Sequence, residues 1–366
     1  MLRNTLISLA AISVILLFFI ADLLVDGGTF KTIEPHFDGQ CEMIEGVVGA
    51  EDITIDPTNG LAYISAHDRR NWSKGGDIYL YQTGSLSKPQ PLFHDLNEDL
   101  FPHGISLWKN PNGNDRLFVV HHPPAPPESE QRNDSEVVIF DIVGGNLKFV
   151  RTVTTDLPYS LNDVAAASSE AFYATIDKGS LSKLGRMFES YGRLALGGIA
   201  FGNEGQMTRV MSDLVYPNGI QVSDDGRKVY VSESSGSRLL TYDRDINTGT
   251  LSFKKDIDLE SGLDNLEWDL HGNLWIGAHP QMLDYLKHSS NHQKRSASQV
   301  LRINIDDPMS VDEIYLNSGD PLSGSSVAAP YQDHVLIGSV YEPFILDCTL
   351  SKEKTSSRNI SDRPKL

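Results

Sequence analysis

Basic residues are in short supply: 31 Lys and Arg stand against 49 Asp and Glu among 366 residues, a formal net charge of −18. Neutralising a phosphate backbone needs clustered Lys and Arg, so this balance excludes a nucleic-acid partner. No G-x-S-x-G elbow, H-E-x-x-H helix, P-loop or G-x-G-x-x-G turn occurs, which argues against a serine hydrolase, a zinc protease or a nucleotide enzyme. Long helical periodicity is also scarce. What remains is an ordinary globular composition, 40% hydrophobic and 22% charged, able to bury a real core. One compact domain after a leader, over residues 28–350, is the expected organisation, with a polar tail over 351–366.

The leader covers residues 1–27. From Leu6 to Ala21 every residue is apolar except Ser8 and Ser13, and the run continues through Leu23, Leu24 and Val25. That reaches the ~20 residues a bilayer needs. Arg3 precedes the run, and Asp22 and Asp26 lie at its far end, so the N-terminus is expected to stay cytoplasmic and the rest to enter the secretory pathway, anchored by this helix or released as a secreted protein. Cys41 and Cys348 lie at the extremes of the exported part. They read as one disulfide joining start to finish, with two unpaired buried thiols as the alternative. Three N-x-S sequons begin at Asn71, Asn133 and Asn359, glycan acceptors in a eukaryotic secretory route.

The chain repeats itself. Six times a small or polar doublet precedes a short apolar run, a turn and a β-rich run: Glu51-Asp52, His103-Gly104, Asn162-Asp163, Asn218-Gly219, Asp264-Asn265 and Ser325-Ser326. Gaps of 52, 59, 56, 46 and 61 between first members leave room for four short strands each. Asp77–Gln82 with Gln90–Phe93, or Arg238–Tyr242 with Leu251–Lys255, would supply the second pairs. Period and strand number predict an all-β chain, a six-bladed β-propeller preceded by the hydrophobic helix. Cys41 and Cys348 would then fasten the seam where the ring closes. Two stretches depart from the pattern. Residues 181–196 place Leu184, Met187, Phe188, Tyr191 and Leu194 at helical spacing, a core-packing helix, a lid or a membrane-contacting helix. Residues 283–298 are polar and read as a long surface loop.

In a propeller the innermost strands run along the axis, so the doublets converge. Four carboxylates among them, Glu51, Asp52, Asp163 and Asp264, would repel one another unless a cation compensates. Hard oxygen donors mixing carboxylates with Asn amides select calcium. Ten polar positions exceed one coordination sphere, so two ions are expected. The remaining alternative makes the doublets turn residues chosen for backbone reasons.

At this point the residues carry a resemblance. GAEDITI, PHGIS, VVHHP, LNDVAA, PNGIQVS, LDNLEWD, WIGAHP and VLRI, in order from about Cys41 to Leu350, resemble their counterparts in the paraoxonase/arylesterase family of calcium-dependent lactonases, within the wider gluconolactonase-like six-bladed propellers. The resemblance implies a catalytic calcium on Glu51, Asn162, Asn218, Asp264 and Asn265. It implies a structural calcium on Asp52, Asp163 and the carbonyl of Ile105. His103 and His122 correspond to the family's histidine dyad, and His279 to a histidine of the substrate wall. The implied function is hydrolysis of a small-molecule lactone or aryl ester, calcium polarising the carbonyl and His103, backed by His122, activating water. Glu51 or Asp264 could serve as base instead, and His121 reads as exposed or packing. The loop His67–Gly76 and the 181–196 helix differ from the family pattern, so lactone hydrolysis carries over and finer substrate preference does not. A sugar lactonase of the gluconolactonase type and a calcium-stiffened propeller without catalysis are the competing readings.

Overall fold

The computed structural model describes residues 2–124, 135–154, 160–306 and 309–351; the sequons at Asn133 and Asn359 and nearly all of the 351–366 tail lie outside them. Alternating apolar and polar residues separated by Gly, Asn and Asp turns make antiparallel strands almost throughout. Three sheets of four strands cover Pro102–Val153, Ser160–Leu214 and Pro217–Asp258. A fourth holds Gly262–Trp268, Asn273–His279, Ser298–Asn304 and Ser310–Asn317, with His36–Phe37 added at its edge. The last has eight strands, and its two halves, 325–350 with 39–45 and 50–91, meet through the single pair Ser339 and Ala50. The arrangement is propeller-like, with apolar clusters filling the space between neighbouring sheets, such as Phe118, Ile139, Val164 and Phe172.

The strands carrying the doublets are Ala50–Ile55, Pro102–Trp108, Ser160–Ala166, Pro217–Val222, Gly262–Trp268 and Ser325–Tyr331. Each lies against the next, and the last against the first, so they close a ring. Every one of them breaks register with its partner strand at the doublet. A bulge there turns backbone and side chains out of the ladder and toward the axis. Neighbouring sheets are stitched across the ring by these same residues. Ile105 N–H donates to Asp52 Oδ2 at 2.7 Å, Ile220 N–H to Asp163 Oδ2 at 2.8 Å and the Ser326 hydroxyl to the Glu51 carbonyl at 2.6 Å. The glycines of two doublets make the approach possible. A Cβ on Gly104 would meet Asp163 Cα at 2.4 Å, and one on Gly219 would meet Asn265 Cα at 2.8 Å.

Among the described residues three helices lie outside the sheets. Helix α1, Leu2–Asp26, is apolar along most of its length and its turns are exposed, long and apolar enough to cross a membrane. Helix α2, Lys183–Gly192, is capped by the Ser182 hydroxyl, which accepts from Gly185 N–H. It does not pack a core face: Leu184, Phe188 and Met187 are 61%, 60% and 46% exposed, and the residue it buries is Glu189. The Glu189 carboxylate explains the inversion, since it accepts from Gly179 and Ser180 N–H at 2.8 Å each. Helix α3, Met282–Ser290, corrects the expected loop over 283–298. Its Lys and His residues masked an ordinary surface helix with a Lys287–Asp284 pair one turn apart.

Cys41 and Cys348 form a disulfide across 307 residues. It joins directly paired positions of the strands Gly39–Glu45 and Phe344–Leu350, the first and last strands of one half-sheet. Replacing both cysteines by Ala should lower the unfolding free energy by about 2–5 kcal/mol, read from urea transitions. A change below ~0.5 kcal/mol would mean the strand pairing alone holds the seam.

Candidate active site

Each doublet strand brings one or two polar side chains to the centre of the ring, and the sheets leave them little to bond with. Glu51 Oε2, Asn162 Oδ1, Asn218 Oδ1, Asp264 Oδ1 and Asn265 Oδ1 are all buried without a hydrogen-bond partner. These are the five residues expected to hold the catalytic ion. The other polar atoms of Glu51, Asn218, Asp264 and Asn265 are committed, which fixes their orientation. Asn265 Nδ2 donates to Glu51 Oε1 at 2.9 Å and to the Glu51 carbonyl at 3.0 Å, and Asn218 Nδ2 donates to Ser234 Oγ at 3.0 Å. The Ser234 hydroxyl is itself spent on the Leu263 carbonyl. Leaving one buried acceptor unsatisfied costs about 1–3 kcal/mol, so five clustered together fit a site for a hard cation.

A second set lies beneath. Asp52 accepts from Ile53 and Ile105 N–H, and Asp163 from Val164 and Ile220 N–H. Burial pushes both carboxyls well above their ordinary range, and repulsion from Glu51 on Asp52, and from Asp52 on Asp163, adds to it. Glu267 joins them, raised by burial and by Asp52. Sequence reasoning missed Glu267, although it stands two residues after Asn265 and strand alternation puts both on one face. Ser325 and Ser326, the last doublet, donate their hydroxyls to main-chain carbonyls of Ala278, Gln299 and Glu51.

Two histidines flank the unpartnered oxygens. His103 Nε2 is 3.3 Å from Glu51 Oε1, and His103 Nδ1 lies 2.7 Å from His122 Nε2, whose Nδ1 is 2.9 Å from Ser135 Oγ. Across the cavity His279 Nε2 is 2.8 Å from Asp264 Oδ2, and its ring stacks on Tyr285 at 3.8 Å. Burial raises the Asp264 carboxyl while His279 opposes the shift. Burial also works to raise Glu51, but His103 and Arg69 outweigh it and hold the carboxyl below its ordinary value; Arg69 Nη2 is 3.8 Å from Glu51 Oε2.

These groups open into a cavity of about 420 Å³. Its wall includes Trp72 and Arg69 from the loop that departs from the family pattern, Tyr191 and Arg193 from α2, and Leu283 and Tyr285 from α3. The end of α1 contributes Leu23, Asp26 and Gly27. Arg193, the C-cap of α2, pairs with Asp22 and Asp26 of α1. Nothing in the sequence pointed to the leader as part of the wall, because its apolar run carries no sign of what its last turn touches.

Glu98, His121 and Glu136 form a cluster whose possible ligand atoms lie within 4.8 Å of one another. It does not suit a cation. His121 Nδ1 accepts from Phe101 N–H at 3.0 Å, so in the neutral ring Nε2 carries the proton and faces Glu136 at 3.9 Å as a donor. Burial pulls the fully enclosed His121 down to about 4 from 6.5, which keeps it neutral. A depressed histidine supplies stability that is complete above pH 6.5 and fades as pH falls toward 4, by up to about 3 kcal/mol. In urea melts, His121→Asn should lose less stability than the parent between pH 7 and pH 4.5; equal losses would show that another group titrates there.

The comparisons with known proteins agree in one direction. A family model described as Arylesterase matches residues 32–350. Serum paraoxonase/arylesterase 1 of Mus musculus is 30% identical over 331 residues, 85% of this chain and 89% of the relative. Serum paraoxonase/lactonase 3 of Homo sapiens is 30% identical, covering 85% and 89%. Among solved structures, a luciferin-regenerating enzyme aligns with TM-score 0.53 at 15% identity over 87% of this chain and 98% of that one. A calcium-binding protein, regucalcin, from Agrobacterium tumefaciens aligns with TM-score 0.51 at 16% identity over 87% and 96%.

Proposed function

The chain belongs to the arylesterase family, and from that premise we propose that it is a calcium-dependent hydrolase of lactones and carboxylic esters, a six-bladed propeller with the ion on its axis. The observation that carries this reading is the set of five buried oxygens without hydrogen-bond partners, on Glu51, Asn162, Asn218, Asp264 and Asn265. Two carboxylates and three amide oxygens are a calcium donor set. The six blades correspond to the six doublet strands of the closed ring, the eight-stranded sheet counting as two blades across its single bridging pair. A second ion would rest on Asp52, Asp163 and the Ile105 carbonyl, with Glu267 adding its charge.

Bound there, calcium would supply Lewis-acid polarisation of the scissile carbonyl and stabilisation of the developing oxyanion. The chain's own residues handle the proton. With His103 Nδ1–H donating to His122 Nε2 and His122 Nδ1–H donating to Ser135 Oγ, His103 Nε2 is the ring nitrogen beside Glu51 Oε1 at 3.3 Å, and in its unprotonated form it can take a proton from an attacking water. His122 orients that ring and steadies its charged form. His279, held by Asp264 and stacked on Tyr285, shapes the opposite wall. The apolar α1 fits a signal sequence or an anchor, which suits an exported enzyme acting on a small molecule near a membrane.

Two measurements test the reading. Hydrolysis of γ- and δ-lactones and of phenyl acetate should disappear with a calcium chelator and return with added calcium; activity indifferent to chelation would remove the metal from the account. His103→Gln should lower kcat by about 100-fold or more with native circular dichroism, and a variant retaining full turnover would move the base to Glu51 or Asp264.

A further inference from the structure

The charges on the cavity wall leave one cation unspent. Glu51 and Asp264 belong to the proposed ion site, Arg69 lies 3.8 Å from Glu51, and Asp26 pairs with Arg193. Lys178 also lines the cavity, and among the described residues no carboxylate lies within ion-pair distance of its Nζ. The nearby acids are held elsewhere or face away: Glu189 accepts from the Gly179 and Ser180 N–H groups, and Asp177, next in the strand, is buried and absent from the wall. Instead the ammonium sits over the ring of Tyr216, 4.8 Å from its centroid. Tyr216 lines the same wall and is held there with φ 52°, a backbone conformation unusual for an aromatic residue.

The two residues line the cavity beside the ion site. Tyr216 precedes Asn218 by two residues, and Lys178 pairs with Ser160, two residues before Asn162. Both short spacings cross a bulge, so they put the pair next to the ion ligands along the chain without the regular rise of a strand. A substrate whose carbonyl lies at the level of Asn162 and Asn218 therefore passes Lys178 a few bonds along its side chain.

We propose that Lys178 is a specificity residue that selects lactones and esters bearing a carboxylate a short chain away from the scissile carbonyl. This rests on the hydrolase reading and gives its substrate a charge. A half-buried ammonium over an aromatic face, which Asp177 and Glu189 reach only through space and without an ion pair, gains a charge-assisted hydrogen bond when a carboxylate arrives, and the low-dielectric wall makes that gain larger than it would be in open water. A neutral side chain of the same length gains nothing comparable.

The test uses the full-length, calcium-loaded protein and two γ-lactones that differ at the end of one side chain, carboxylate in one and carboxamide in the other. The ratio of their kcat/KM values, acid over amide, should be roughly 10 or more, should be carried mainly by KM, and should shrink with rising salt. Lys178→Met should bring the ratio close to unity, and Lys178→Arg should restore most of it. A parent ratio near unity, or a ratio that Lys178→Met leaves unaltered while both lactones are still hydrolysed, overturns the role of Lys178 alone. Hydrolysis of neither lactone by the parent overturns the hydrolase reading together with it.

Discussion

The structure depends on a concentration of buried oxygen that its own hydrogen bonds cannot satisfy. Six bulged strands meet on one axis, and each bulge that frees a doublet from its ladder also removes the neighbours that would have bonded to it. The surrounding donors are already committed: Asn265 to Glu51, Asn218 to Ser234, the Ser326 hydroxyl to the main chain. Deeper in, Asp52, Asp163 and Glu267 are buried carboxyls displaced upward by desolvation and by one another. Such an axis is unfavourable for a bare polypeptide and favourable around a divalent ion, because the same oxygens that lack hydrogens to accept are suited to a hard cation. On the proposed reading, the stability of the ring and the chemistry at its mouth share that one source.

Around this fixed centre the wall is assembled from parts foreign to the repeat. Helices α2 and α3 and the last turn of α1 come from connections and from the leader, yet they line the cavity that reaches the axis. The apolar face of α2 points away from the sheets, and its buried group is the carboxylate of Glu189, which closes the turn at Gly179 and Ser180. The leader and the enzyme are joined by the Arg193 pairs to Asp22 and Asp26. The axial part of the site thus lies in the strands and the wall in the connections, the division expected where a rigid scaffold presents loops.

Much of the centre was legible in the sequence because a propeller turns a repeat column into a spatial cluster. Glu51, Asn162, Asn218, Asp264 and Asn265 lie far apart along the chain, and reading one column brought them together. His103 and His122 followed from the family resemblance and stand 2.7 Å apart. The paired cysteines were visible because they flank the strand-bearing part of the chain. What could not be read has physical reasons. The bulges leave no residue signature, since Gly, Asn and Asp at the doublets also serve turns. Helix α3 was hidden by a polar composition, and α2 by an amphipathic pattern that states which residues share a face without stating which way that face points. Glu267 needed only alternation from Asn265. Lys178 and Tyr216 carry no pattern at all; their partnership arises from two strands meeting in space.

The central claim, that the unpartnered axial oxygens hold calcium, is tested most directly by melting the metal-stripped protein against calcium concentration, alongside Asn218→Leu. A ligand that binds the native state raises Tm in step with its concentration. The account predicts a rising Tm for the parent, a much weaker response for Asn218→Leu, and a metal-free variant within about 1 kcal/mol of the metal-free parent, because losing the orphaned acceptor offsets losing the Nδ2 hydrogen bond to Ser234. A parent whose Tm ignores calcium would contradict it.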